Sequence, residues 1–167
     1  MIHDFNERLK YSEESSAESF WLAIYKKAFP NFVNFMPCPA DTQSQRMGID
    51  RIILLANGKI IRIDEKKREK IYPDILLEFE SNNVSGAVGW IEKDLFIDYL
   101  AYAFMESKTV YLFPWDLLRR TWIHYKPAWI VKYKTIIAKN KNYSTSSVAV
   151  PIEVLQNSIK TASIIRL

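Results

Sequence analysis

Cysteine is almost missing from this chain of 167 residues, with Cys38 the only one. A lone thiol excludes an internal disulfide and fits a reducing compartment. Histidine is nearly as scarce, with two in all. One Cys and two His fall short of the four ligands of a structural zinc site, so any metal here is a hard, oxygen-liganded one. Cys38 sits between prolines with no evident histidine base, which leaves nucleophilic catalysis unsupported. There is no Gly-rich phosphate loop, and this disfavours nucleotide-driven chemistry. No apolar run approaches the roughly 18 residues that span a bilayer. The first residues, among them Asp4 and Glu7, do not form the apolar stretch of a signal peptide. A cytoplasmic protein without a membrane partner is expected.

The residues that are present suit a single folded domain over 1–167. Hydrophobic residues make up 49% and charged ones 25%, the balance of an ordinary globular protein. Aromatics reach 14%, with five Trp, enough for one well-packed core at this length. The formal charge of +4 and pI near 9.1 lean toward a polyanionic partner, a weak indication by itself.

Ser12 to Phe29 reads as a helix that stops before Pro30, with Trp21, Leu22, Tyr25 and Phe29 along one side. Asn31 to Thr42, rich in proline, reads as irregular. Two β-branched runs then flank Asn57-Gly58, the strongest short-range hairpin signal, and place a hairpin between Gly48 and Lys67. A third strand follows at Asp74 to Glu80, then a loop from Ser81 to Gly89. A helix is expected over Ile91 to Met105, a strand over Thr109 to Phe113 and a short helix over Leu117 to Ile123. A strand near Ser146 to Val150 and a helix opened by Pro151 complete the chain. The fold class is α/β, with the order α-β-β-β-α-β and a C-terminal strand and helix extension.

A two-residue loop at Asn57-Gly58 would pair Ala56 with Lys59, Leu54 with Ile61, Ile52 with Ile63 and Asp50 with Glu65. Opposed residues point to one side of a sheet with Cβ atoms about 5 Å apart. Lys67 joins that side, while Asp64 and Lys66 point to the other. Two carboxylates so placed repel, and a divalent cation between them relieves the repulsion. Mg²⁺ commonly uses one or two carboxylates and several waters. Asp50 and Glu65 would supply the carboxylates, and Lys67 would stand near the charge that builds up on a phosphoryl group. Glu18 shares the apolar face of the first helix with Trp21, Leu22 and Tyr25, so it needs a partner, and the metal cluster is a candidate.

Glu18 on a leading helix, Asp50 on one strand and Glu65-Lys66-Lys67 on the next resemble the PD-(D/E)xK nuclease superfamily, over roughly Ser12 to Phe113. The chain is also similar to small phage and mobile-element members. The resemblance implies a restriction-endonuclease-like core, a mixed sheet flanked by helices. It implies a metal-dependent endonuclease that hydrolyses DNA phosphodiester bonds and leaves a 5′-phosphate and a 3′-hydroxyl. Asp50, Glu65 and the backbone carbonyl of Lys66 would hold Mg²⁺ or Mn²⁺, Lys67 would orient the attacking water, and Glu18 would hold a second metal or a bridging water. Ile49 stands where the superfamily often has proline, and the Gln-x-x-x-Tyr motif of the RecB-like branch is absent. DNA is the partner implied, RNA is not distinguished from it, and a homodimer is compatible with the likeness.

Blander readings stand beside these. Asp64-Glu65-Lys66 is a second carboxylate-x-Lys string, and a loop one residue longer would bring it, instead of Glu65 and Lys67, to the side of Asp50. Ser15-Ser16-Ala17-Glu18 matches a capping box, which would occupy Glu18 locally. Arg68 and Lys70 belong to a basic run that is either a solvated strand end or a phosphate contact. Arg119 and Arg120, near Trp122 and Tyr125, suit a nucleic-acid grip or a structural role. A catalytically silent nucleic-acid-binding or interaction protein is the alternative function.

Overall fold

A computed structural model describes residues 5–38 and 47–167, with side chains described for 17–38 and 47–167. Residues 39–42 of the segment expected to be irregular lie outside the described residues. The molecule is a mixed α/β protein. Helix α1 (Phe5–Ala28) is followed by strands β1 (Phe32–Pro37), β2 (Arg51–Leu55), β3 (Ile60–Arg68), β4 (Asp74–Asn82) and β5 (Ala87–Val88). A 3₁₀ turn at Trp90–Glu92 leads to β6 (Tyr99–Phe104) and β7 (Thr109–Pro114). Helix α2 (Trp115–Lys132), β8 (Thr135–Lys139), β9 (Ser144–Pro151), α3 (Ile152–Ser158) and β10 (Ser163–Arg166) follow. No described helix is long and apolar enough to cross a membrane.

Six strands form one sheet in the order β1-β2-β3-β6-β7-β10, and four form a second in the order β5-β4-β9-β8. Every pairing is antiparallel except β3 with β6, which run parallel. The first sheet is covered on both sides. On one side Trp21, Ile24 and Tyr25 of α1 pack on Ile53, Ile61, Ile63, Ala101 and Val110. On the other, Leu100, Tyr102 and Phe104 meet Ile75 and Leu77 of β4, Val148 and Val150 of β9, and Trp122 and Trp129 of α2. β6 is thus buried on both faces, as a parallel central strand should be.

Several elements depart from the sequence reading. The helix expected over Ile91 to Met105 is replaced by the 3₁₀ turn and β6. An unbroken apolar run such as Tyr99-Leu100-Ala101-Tyr102-Ala103-Phe104 has no period to separate a buried strand from a buried helix. Asp98 settles it locally: its Oδ2 accepts from the Arg62 amide at 2.7 Å, and its own amide donates to the Arg62 carbonyl at 2.8 Å. These bonds start the parallel ladder. β1 forms where proline suggested irregular chain; it is an edge strand with Pro37 at its end, where a missing N–H is tolerated. β4 lies in the second sheet and not beside the hairpin. α2 runs well beyond Ile123 and carries Pro127 inside it.

The hairpin itself is present, with a different loop. Gly58 donates to the Leu55 carbonyl and Leu55 to the Lys59 carbonyl, both at 2.9 Å, so Ala56, Asn57 and Gly58 make a three-residue connection. A two-residue type I′ turn needs positive φ at both centres. Here Gly58 has φ +78°, and Asn57 is not among the positive-φ residues. The result is a type I turn closed by a left-handed glycine. Leu54 therefore faces Ile60, Ile53 faces Ile61, Ile52 faces Arg62 and Arg51 faces Ile63. The register is one residue from the expected one. A one-residue slip exchanges the two sides of a strand relative to its neighbour.

Candidate active site

The slip sorts the charged side chains of β2 and β3 into two groups on opposite sides of the sheet. On the α1 side Arg51 is buried, with 6% of its surface exposed. Its Nε donates to Glu65 Oε1 at 3.0 Å, and its Nη1 donates to both carboxylate oxygens of Glu18 at 2.7 Å. Tyr25 Oη donates to Glu65 Oε1 at 2.7 Å. Burial pushes the Glu65 carboxyl up, against the hydrogen bonds and charge of Arg51. Burial, then Glu65, pushes the Tyr25 phenol well above its ordinary value. This cluster satisfies its own members, as buried ions must be. The Glu65 carboxylate is held by Arg51 and Tyr25, while its backbone amide donates to Asp50.

Glu18 and Glu65 thus come together around the guanidinium of Arg51. The capping box for Glu18 does not arise, because α1 begins at Phe5 and Ser15 lies inside the helix. Lys67 is exposed and, by alternation along β3, belongs to the Glu65 side. The expected grouping of Asp50, Glu65 and Lys67 is therefore replaced by another.

On the opposite side, a cavity of about 150 Å³ is lined by Asp50, Asp64, Lys66, Trp90, Lys93 and Leu95, with Gly48 at its edge. The residue just before β2 and strand β3 supply the acids, β3 the first lysine, and the 3₁₀ turn with the chain after it the indole and the second lysine. Asp50 Oδ2 accepts from the Glu65 amide at 2.7 Å, which fixes the exposed carboxylate at the end of the ladder. Asp64 is 2% exposed and accepts from Lys66 Nζ at 2.5 Å. Burial pushes the Asp64 carboxyl up to about 7; the charge of Lys66 opposes this, and a hydrogen bond to Asp50 adds to it. Two carboxylates lining one pocket repel when both are ionised, and a proton on one relieves the repulsion. A divalent cation replaces that proton more fully, since it neutralises both.

The donor chemistry fits a hard cation such as Mg²⁺, which is content with two carboxylates when waters complete its shell. Among the described residues no group of three or more His, Cys, Asp or Glu side chains converges on a metal position. The pair Asp50 and Asp64 is thus the whole carboxylate complement of the pocket. Lys66 enters through its side chain, beside Asp64, whereas the sequence reading used its carbonyl.

The other sequence-derived candidates lie elsewhere. Arg68 continues the Asp64–Lys66 side of β3 and bonds to Asp74 Oδ1 at 2.8 Å. Lys70 is exposed just past the strand. Arg119 pairs with Asp94 at 3.4 Å and Arg120 with Asp116 at 3.0 Å, both on α2. Trp90 and Lys93 were not singled out in the sequence. Nothing near them signals a site, because they reach it only through the connection that crosses from β4 to β6. Comparison of the chain with family models, with curated proteins and with solved structures finds no match in any of the three.

Proposed function

We propose that the protein is a divalent-metal-dependent nuclease whose working residues are Asp50, Asp64 and Lys66, with Lys93 contacting substrate phosphate. The observation that carries this is the gathering of two adjacent carboxylates and a lysine in one pocket, in the order Asp…Asp-x-Lys. The PD-(D/E)xK likeness then applies to Asp64-Glu65-Lys66 in place of Glu65-Lys66-Lys67. The leading helix, the antiparallel run β1-β2-β3 and the parallel neighbour β6 support a restriction-endonuclease-like core. In this chain the crossover from β3 to β6 carries β4, β5 and a 3₁₀ turn where a helix was expected.

Asp50 and Asp64 would hold the cation. When bound, it would supply Lewis acidity toward the scissile phosphate and lower the pKa of water in the pocket. Lys66 Nζ donates toward the attacking water or the charge developing on phosphoryl oxygen, where a fixed donor contributes most. Trp90, 6.0 Å from Lys66 Nζ, walls the pocket and limits competing solvent. In the reaction a water oxygen bonds to phosphorus and the P–O3′ bond breaks. The electron pair leaves on O3′, which takes a proton from solvent, and the attacking water loses one.

The test is nicking of supercoiled plasmid with Mg²⁺, Mn²⁺ or EDTA. Asp64→Asn and Lys66→Met should each lower metal-dependent nicking by at least about a hundredfold in folded protein. Plasmid left intact by wild type with either metal would refute the reading. DNA is the proposed substrate, and the same assay on RNA measures the preference.

A further inference from the structure

Alternate residues of β3 share a side of the sheet. Asp64 and Lys66 line the carboxylate pocket, and Arg68, the next on that side, lines a second cavity of about 300 Å³ with Tyr72, Leu76, Lys134 and Ile136. Four residues of strand separate Asp64 from Arg68, roughly 13 Å. We infer that this second cavity receives one unpaired nucleotide of the substrate strand, its base against Tyr72 and its phosphate beside Lys134. The substrate class follows: single-stranded nucleic acid, or a duplex with a frayed or displaced end. The assignment of a substrate rests on the nuclease reading, while the binding itself does not.

Arg68 Cζ lies 3.5 Å from the centre of the Tyr72 ring, and its Nη1 donates to Asp74 Oδ1 at 2.8 Å and to the Asp74 carbonyl at 3.2 Å. The guanidinium is thereby fixed and backs the ring, while Tyr72 stays 39% exposed. An aromatic ring held from one side and open to solvent is a stacking platform, and stacking accepts any base. Pro73, Leu76, Ile136 and Pro151 give the recess apolar walls suited to a nucleobase. The Asp74 carboxylate is matched by Arg68, so exposed Lys134 leaves the recess net positive. A base held in a duplex cannot enter such a recess without unpairing.

The probe is a fluorescently labelled oligothymidylate of about ten residues, read by anisotropy in EDTA, against a blunt hairpin duplex. Tyr72→Ala should weaken oligothymidylate binding about tenfold and leave duplex binding unchanged, and Tyr72→Phe should restore it. Lys134→Ala should reduce the salt dependence of single-strand binding by about one phosphate contact. The inference is overturned if wild type ignores the oligothymidylate, if Tyr72→Ala binds it as wild type does, or if single-strand and duplex binding fall together. Plasmid nicking without any Tyr72 effect would remove this cavity and keep the reading of Asp64. A Tyr72 effect without nicking would do the reverse.

Discussion

Arg51 donates from Nε to Glu65 Oε1 at 3.0 Å on the side of the sheet away from Asp50. The bond fits the register of the hairpin, which sets Asp50 opposite Asp64 and keeps the Asp50 and Glu65 carboxylates apart. On the proposed reading the chemistry of β3 belongs to its other side, where Asp64 and Lys66 stand. Substitutions at neighbouring positions of one strand should therefore behave in opposite ways.

Activity is the first contrast. Glu65→Gln and Glu18→Gln should retain nicking within about tenfold of wild type per folded molecule, because neither side chain enters the pocket. Asp64→Asn, one residue from Glu65, should fall at least about a hundredfold. Single-turnover rates on folded protein, checked by circular dichroism, decide between the two registers.

Stability is the second. Arg51→Met leaves Glu65 buried without its cation and should cost about 3–5 kcal/mol in urea unfolding. Tyr25→Phe removes one hydrogen bond to Glu65 and should cost about 1 kcal/mol. Arg51→Met combined with Glu65→Leu should cost less than the sum of the two singles, a coupling that a double-mutant cycle measures.

The pH dependence follows from Asp64. Its carboxyl is raised from 3.8 to about 7, so the folded state holds that proton more tightly than the unfolded chain. Its contribution is full below about pH 4 and is lost as pH rises through 7. In EDTA, Asp64→Asn should thus be the more stable protein at pH 8, by about 2–4 kcal/mol, and the difference should vanish near pH 4. If the ionised pair holds Mg²⁺ as proposed, thermal stabilisation of wild type by Mg²⁺ should be larger at pH 8 than at pH 5. Equal shifts at both pH values would refute the pairing of the two acids as a cation site.

Gly89 opens the 3₁₀ turn that presents Trp90 to the pocket. A Cβ built there would meet the backbone oxygen of Glu78 at 2.1 Å, a contact only main-chain movement relieves. Gly89→Ala should cost roughly 2 kcal/mol or more and displace Trp90, which tryptophan fluorescence would report. Gly58→Ala meets no neighbour, but sits at φ +78° and should cost about 1 kcal/mol.

Much of the chain was legible. The core stripe of α1, the hairpin, β4, β7 and β9 all carry periods or turn residues that local physics reads. The candidate site turned on a quantity that local physics determines less sharply, the number of residues in one loop. Asn57-Gly58 suits both a two-residue and a three-residue connection. The choice is made by Phe32 to Pro37, whose strand pairs with β2, and by the buried Arg51, whose partners stand on α1 and β3. Those contacts span 14 or more residues, beyond what a sequence window weighs. β6 was misread for a related reason, since a strand buried on both faces has no polar side to reveal its period.

Because β3 is interior to its sheet, the side chains of its two sides pack in separate surroundings, joined through the Glu65 amide that donates to Asp50. The Glu18–Arg51–Glu65–Tyr25 network can be recoded to hydrocarbon without touching a single wall of the pocket behind it. Well-packed aliphatic replacements often match or exceed a buried ion cluster in stability. The strand is thus a partition between two compartments, and a heat-tolerant version of the protein could be sought on the helix-covered one as long as the Glu65 backbone keeps its bond to Asp50.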